Sequence, residues 1–144
     1  MTQEAPSPVI ELEGVDKRFG GGPLILDKIG ISARRGDFVT LIGPSGCGKS
    51  TVLRLIAGLI PASAGRITVD GAPAGTVEKL AFVFQEPTLL PWLSVLKNVE
   101  VPQRLHGAGR AQRSEIARRS LELVGLSDRT GYFPRQLSGG QKMR

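Results

Sequence analysis

The sequence predicts a mixed α/β fold with an appended helical part, and three observations support that prediction. Two β-patterned runs, Val9–Arg18 and Leu24–Ile31, come first, with a glycine-rich turn at Gly20–Pro23 between them. A buried-strand pattern, a helical pattern and further strand patterns follow. From Ser94 onward the pattern is helical. Strands that alternate with helices, followed by helices alone, are typical of an α/β domain with a helical extension.

The central elements are predicted from apolar periodicity and from the residues that interrupt it. Phe38–Ile42 is almost continuously apolar, as expected of a strand buried on both faces. A helix is predicted from about Lys49 to Leu59, because apolar residues recur there at helical spacing until Pro61. The remaining predictions are strands at Arg66–Val69 and Leu80–Phe84, a turn at Asp70-Gly71, and helices near Ser94–Leu105 and Gly109–Val124.

Composition narrows the classes of function. The single cysteine, Cys47, excludes an internal disulfide and a cysteine-rich metal site, and it fits a reducing cytoplasm. The single histidine, His106, excludes most metal and triad chemistry. The net charge of +6 raises the question of nucleic acid or an anionic membrane. The arginines of the 109–124 segment form no single stripe, so we interpret them as a solvated helix face and expect no nucleic-acid partner.

The strongest motif is the segment Gly43–Ser50, which fits the pattern G-x-x-x-x-G-K-[ST] in full and lies between a predicted strand and a predicted helix. Its glycines let backbone N–H groups point at phosphate oxygens, and the following helix adds the positive end of its dipole. We expect Lys49 to reach the β- and γ-phosphates and the Ser50 hydroxyl to hold Mg²⁺, while Thr51 supports the first helical turn. The predicted nucleotide-binding residues of this phosphate loop are Gly43, Pro44, Ser45, Gly46, Cys47, Gly48, Lys49, Ser50 and Thr51.

Cys47, inside the loop, has two interpretations. It is either a small, half-buried filler, or a thiol made reactive by Lys49 and the helix dipole.

A second motif, Leu137–Gln141, reads Leu-Ser-Gly-Gly-Gln, and its serine precedes two glycines at a predicted helix start. Such a start exposes N–H groups that can bind an anion, although a capped loop without a ligand would have the same pattern.

With both motifs in this order, the chain from about Val9 to Arg144 resembles the ATP-binding cassette (ABC) family, whose signature sequence is LSGGQ. The resemblance implies that Phe19 stacks on adenine. It also implies that Gln85 is the glutamine of the Q-loop, which contacts Mg²⁺ and the attacking water. Without the family, Phe19 could equally be a core aromatic and Gln85 an ordinary loop amide. Across a head-to-tail homodimer, the signature residues that contact the partner's ATP would be Ser138, Gly139, Gly140 and Gln141.

The segment from Gln85 to Val95 looks like that of importers for nitrate, sulfonates and taurine. The resemblance implies that Trp92 lies where a membrane permease subunit docks, although Trp92 could instead pack in the core. It further implies an ATPase on the inner, cytoplasmic face of the cell membrane, with an extracytoplasmic solute-binding protein as an indirect partner.

The uncharged run Pro87–Leu96 is too short to cross a bilayer by itself, since a span needs about 20 residues.

The resemblance also specifies the fold class: an α/β P-loop NTPase of the ABC ATPase type. Its parts would be an N-terminal antiparallel β part, a RecA-like core and the start of the α-helical subdomain, with the C-terminal part missing. We expect a partial domain over 1–144, divided into a β-rich and phosphate-loop core at about 9–90 and a helical subdomain at about 91–144. The family's catalytic acidic residues and its switch histidine follow the signature, and the sequence ends at Arg144.

We therefore expect this chain to bind ATP and Mg²⁺ without hydrolysing ATP. Two alternatives stay open. One is a non-catalytic nucleotide-binding remnant that modulates a full-length partner. The other is a soluble ABC ATPase that acts on nucleic acid, which the short spacing between the loop and the signature disfavours. The transported solute cannot be inferred from this sequence.

Overall fold

A computed structural model describes residues 7–76 and 80–144. By their contacts the residues group into two compact units, Met1–Phe82 and Val83–Arg144, and each unit is described by itself. The division expected from the sequence, near residue 90, stays a prediction.

The first unit contains an antiparallel sheet of four strands in the order β2-β1-β3-β4. Strand β1 is Ile10–Arg18, β2 is Leu24–Ala33, β3 is Ala64–Val69 and β4 is Ala72–Pro73. The predicted strands Val9–Arg18, Leu24–Ile31 and Arg66–Val69 are confirmed as β1, β2 and β3, and so is the turn between β3 and β4, whereas β4 was not predicted. Asp70 and Gly71 both have positive φ, at 49° and 75°, which is the backbone that a tight two-residue hairpin requires.

An irregularity in β1 changes which of its side chains face inward. The pairing of β1 with β2 slips between Leu12 and Val15, around Gly14, whose φ is 55°. Because side chains alternate along a strand, such a bulge moves the inward face from even to odd positions. Leu12 is buried before it, and Val15 and Lys17 are buried after it. The bulge is therefore what turns Lys17 toward the interior.

Helix α1, Lys49–Ile56, packs on the sheet through Val52 and Leu55. The helix is shorter than the predicted Lys49–Leu59, and this prediction was wrong at its C-terminal end. Gly58 adopts φ 67°, its N–H donates to the carbonyl of Leu55, and the N–H of Leu59 donates to that of Arg54. These two bonds form a Schellman motif, so glycine ends the helix before Pro61 is reached. The buried core of this unit consists of Leu12, Val15, Leu26, Val52 and Leu55.

Two further strand predictions, Phe38–Ile42 and Leu80–Phe84, are not borne out among the described residues, because neither run belongs to the four-stranded sheet. Phe38 and Ile42 are 95% and 91% exposed, the opposite of the burial on both faces that their sequence predicted. A continuous apolar run forms a strand only where neighbouring strands provide hydrogen-bond partners and covering layers. The four strands described here do not provide them at this position.

The second unit is helical, as the sequence predicted. Helix α2 spans Val95–Leu105, α3 spans Arg110–Leu123 and the short α4 spans Gly139–Met143. Their shared core is built from Val95, Leu121, Leu126 and Leu137, so residues from α2, α3 and the segment before α4 meet in one cluster. Over the ranges described in both units, no helix combines the length and the apolar character needed to cross a membrane.

Candidate functional site

The phosphate loop turns sharply between β2 and α1. The N–H of Cys47 bonds the carbonyl of Pro44 at 3.4 Å, and Gly46 and Gly48 adopt left-handed φ values of 83° and 98°. Gly48 is the N-cap of α1 and provides no side chain to cap the helix. The N-terminal N–H groups of α1 therefore face the loop with the positive end of the helix dipole behind them.

Gly48 is also the residue that fixes the loop against the sheet. A Cβ at this position would lie 2.6 Å from Cδ2 of Leu26, a core residue of β2. Non-bonded contacts that short essentially never occur, so a side chain at position 48 would force Leu26 to shift, and glycine avoids that displacement. The loop and the helix that follows it are thereby set directly on the buried face of the sheet.

Lys49 folds back onto the loop that precedes it. Its ammonium donates to the carbonyl oxygens of Gly43 at 2.8 Å and Pro44 at 2.6 Å. It also lies 3.5 Å from Sγ of Cys47, the exposed single thiol. The structure thus brings Lys49 and Cys47 together, and it places the exposed Ser50 on the first turn of α1. This donor set suits a Mg²⁺-bound triphosphate, since it combines a cation, a hydroxyl and a helix N-terminus.

Phe19 follows β1 and is 51% exposed, so it is not a core aromatic. The N–H of Gly22 donates to the Phe19 carbonyl at 3.1 Å, which closes the predicted turn. Lys17, 7% exposed, places its Nζ atom 4.8 Å from the centroid of the Phe19 ring. Sequence reasoning missed Lys17. The available signal was a lysine two residues after Val15 and two residues before Phe19.

The signature, Leu137–Gln141, forms the predicted helix start. Ser138 is the N-cap of α4, and its hydroxyl accepts from the N–H of Gln141 at 3.3 Å. The Gln141 side chain accepts from the N–H of Ser138 at 3.0 Å, which completes a capping box. Leu137 is buried in the helical core, and a Cβ added at Gly139 or Gly140 would meet nothing within 4 Å. The signature is therefore anchored at its leucine and open at its glycines.

The segment that contains Trp92 is held by a residue that sequence reasoning did not single out. The two N–H hydrogens of the Asn98 side chain are shared among the carbonyls of Leu90, Leu93 and Ser94, at 3.0–3.1 Å from Nδ2, and its Oδ1 accepts from the N–H of Leu90 at 2.7 Å. Trp92, between these anchor points, is 69% exposed. A core position for Trp92, which the sequence left open, is thereby excluded in this unit. A helix N-cap serine followed by an asparagine one turn later was the signal available for Asn98.

Gln85 lies in an exposed bend of the second unit, whereas Phe19 and the phosphate loop lie in the first. The structure therefore groups Phe19 and the loop in one unit, and Gln85 and the signature in the other.

Among the residues the structure describes, no cluster of three or more His, Cys, Asp or Glu side chains could hold a metal ion.

Comparison with known sequences gives consistent matches. The model of the family described as ABC transporter matches residues 26–144. The chain is 47% identical over 135 residues to the aliphatic sulfonates import ATP-binding protein SsuB 1 of Mesorhizobium japonicum, covering 92% of this chain and 49% of that protein. It is 44% identical over 140 residues to the corresponding SsuB protein of Burkholderia ambifaria, covering 97% of this chain and 41% of that protein. The chain thus spans about half the length of these relatives or less.

Solved structures agree with the sequence matches. The chain is similar to the ATP-binding cassette MJ0796 in a dimeric, post-hydrolysis structure bound to ADP and Pi, with a TM-score of 0.81 and 31% identity. That match covers 92% of this chain and 65% of the other. A second dimeric structure of the same bacterial ABC transporter cassette gives a TM-score of 0.80. The predicted fold class is confirmed by these matches.

Proposed function

Since the chain belongs to the ABC transporter family, we propose that it binds MgATP at the phosphate loop and is the nucleotide-binding part of a subunit that powers solute import. The observation that carries this proposal is the loop itself. A glycine-rich turn, seated on the sheet at Gly48, leads into an uncapped helix N-terminus with Lys49 beside it. That arrangement recognises phosphate groups through backbone N–H donors and one cation.

Each residue of the loop has a separate task in this proposal. The N–H groups between Gly43 and Lys49 hold the phosphates, the Lys49 ammonium exchanges its carbonyl partners for phosphate oxygens, and the Ser50 hydroxyl holds Mg²⁺. When bound, Mg²⁺ neutralises charge on the β- and γ-phosphates. Phe19 stacks on the adenine, and Gln85 is the water-orienting residue. The exposure of Phe19 and Gln85 leaves both side chains accessible to a ligand.

The signature completes the site of a second copy of the chain. In this proposal two cassettes face head to tail, and each ATP lies between one phosphate loop and the partner's Ser138, Gly139, Gly140 and Gln141. The open space around the two glycines supports this, because a γ-phosphate can approach the N–H groups of α4 without meeting a side chain. The similar cassette MJ0796 is dimeric in both solved structures.

The membrane partner is proposed from the relatives and from Trp92. Two relatives are named as import ATP-binding proteins for aliphatic sulfonates. An exposed tryptophan in a segment fastened by Asn98 is the kind of rigid anchor that protein interfaces use. We therefore assign the chain to the cytoplasmic face of a membrane, bound to a permease subunit and served indirectly by a solute-binding protein. The solute is a sulfonate, nitrate or taurine-type anion.

The dimer is testable because the chain has a single thiol in the phosphate loop. In the head-to-tail arrangement, Cys47 of one copy lies close to position 138 of the other. The variant Ser138→Cys should therefore form a disulfide-linked dimer under mild oxidation. The double variant Ser138→Cys/Cys47→Ala and the variant Ser127→Cys, at an exposed position outside the signature, serve as controls. Equal cross-linking in Ser127→Cys, or none in Ser138→Cys, would contradict the shared site.

A further inference from the structure

We propose that Lys17 is a positioning residue for base recognition: its buried ammonium lies against one face of the Phe19 ring and prepares the other face for a purine base. This inference rests on the proposed function, because it assumes that a nucleotide occupies the phosphate loop. It adds a residue that neither of the two motifs contains.

The position of Lys17 is set by the backbone. The bulge at Gly14 turns Lys17 inward, on the same face as the fully buried Val15. The Nζ atom then donates to the carbonyl oxygen of Pro61 at 2.6 Å. Burying an ammonium is costly unless it is paired or hydrogen-bonded, and within residues 7–76 and 80–144 none of the ion pairs involves Lys17. Pro61 and the Phe19 ring are the stabilising partners that the structure shows.

The contact with Phe19 has the geometry of a cation–π interaction. The distance of 4.8 Å from Nζ to the ring centroid is within the range of about 6 Å for such contacts. The surrounding backbone is pinned on both sides, since Arg18 N–H donates to Oγ of Ser63 at 3.0 Å and Gly22 N–H donates to the Phe19 carbonyl. About half of the Phe19 surface remains exposed, which leaves room for a planar ligand.

Two physical effects follow for a base that stacks on Phe19. The ammonium draws π-electron density toward its own side, so the opposite face repels the π-cloud of a purine less. The contact also holds the ring in one orientation, so less side-chain freedom is lost when the base binds. Lys17 would therefore strengthen binding of the base without touching it, and it would leave the binding of phosphate groups unchanged.

The experiment compares two ligands that share phosphates and differ in the base. Dissociation constants for MgATP and for magnesium tripolyphosphate are measured on the 144-residue chain, and the tripolyphosphate constant divided by the MgATP constant reports the contribution of the nucleoside. Lys17→Met deletes the ammonium and keeps most of the buried stem. We expect it to weaken MgATP binding about threefold to tenfold and to leave tripolyphosphate binding within about twofold. Lys17→Arg should retain the wild-type ratio. Lys28→Met, which removes an exposed lysine of β2, is the matched control.

If Lys17 acts through Phe19, its effect on the ligand ratio should require the Phe19 ring. In the Phe19→Ala background, Lys17→Met should change the ligand ratio no further, whereas a general structural role of Lys17 would lower it again. Thermal unfolding accompanies each variant, and Lys17→Gln replaces Lys17→Met if the latter does not fold. An unchanged ratio in folded Lys17→Met, or the same fall in the Phe19→Ala background, would overturn the inference while MgATP binding stands. A wild-type chain that binds neither ligand would remove the proposed function and this inference with it.

Discussion

The ammonium of Lys49 lies 2.8 Å from the carbonyl oxygen of Gly43, so the one charged side chain of the phosphate loop contacts the loop's first residue. A second bond, to Pro44 at 2.6 Å, fixes the ammonium over the same turn. The cation therefore lies within the curl of the loop and is not extended into solvent. This relationship concentrates the donors that a triphosphate would need in one place.

The first prediction concerns the seat of the loop on the sheet. Gly46→Ala and Gly48→Ala both place a Cβ at positive φ, which costs roughly 1–2 kcal/mol of the free energy of unfolding. Only at position 48 does the new Cβ meet Leu26, whereas at position 46 nothing lies within 4 Å. We expect Gly48→Ala to cost about 1–3 kcal/mol more than Gly46→Ala, as overpacked cores do. Urea unfolding measures the difference, and equal losses would show that Leu26 does not constrain the loop.

The second prediction concerns the thiol in the loop. Cys47 is exposed and lies 3.5 Å from the Lys49 ammonium. We expect a maleimide to modify it and MgATP to slow the modification, because phosphates would cover the same turn. Mass spectrometry of the labelled chain measures the rate, and Cys47→Ser provides the unlabelled control. Equal rates with and without MgATP would show that nucleotide does not occupy the loop.

The third prediction concerns the signature. Ser138→Ala removes the hydroxyl that caps α4, and we expect the unfolding free energy of the helical unit to fall by about 1 kcal/mol. Gln141→Ala removes the reciprocal bond, and the two effects should be less than additive because both belong to one capping box. Ser138→Gly, which caps nearly as well, should lose only a few tenths of a kcal/mol. Strictly additive losses in a double-mutant cycle, followed by chemical unfolding, would contradict the box.

The fourth prediction concerns the exposed tryptophan. Trp92→Ala should weaken assembly with the membrane permease subunit at least fivefold, as interface anchors do, and should leave MgATP affinity within about twofold. Leu105→Ala removes another exposed apolar side chain and serves as the control. Co-purification with the permease measures assembly, and nucleotide titration measures affinity. Parallel loss of both properties in Trp92→Ala would argue for a structural role of this residue.

The local elements of the fold could be predicted because their determinants are local. The Gly20–Pro23 turn separated β1 from β2, the Asp70-Gly71 turn marked the end of β3, and Ser94 and Gly109 marked the starts of α2 and α3. The end of α1 was misjudged because the Schellman motif at Gly58 ends a helix earlier than a later proline does. The prediction for Phe38–Ile42 was wrong because an apolar run indicates only that burial is favourable. A strand also needs adjacent strands that complete its backbone hydrogen bonds.

The same distinction applies to the candidate site: residues in local motifs could be predicted, and residues whose roles depend on tertiary contacts could not. The phosphate loop and the signature were found by spacing, since their chemistry depends on glycines and caps at fixed positions. Lys17 was not found, because its inward orientation depends on the bulge at Gly14, which is visible only in the pairing of β1 with β2 and β3. Asn98 was not found either, because its bonds reach back to the loop before α2 and leave no periodic trace.

The most direct test of nucleotide binding at the phosphate loop is calorimetric titration of the chain with MgATP, compared with Lys49→Ala. We predict saturable binding at one site per chain. Loss of the charged donor should weaken that binding at least about tenfold, since hydrogen bonds to charged groups contribute about 1.5–3 kcal/mol. Arg66→Ala, which removes an exposed charge of β3, should bind as the unaltered chain does. Binding of equal strength by folded Lys49→Ala would contradict a nucleotide site at Gly43–Ser50.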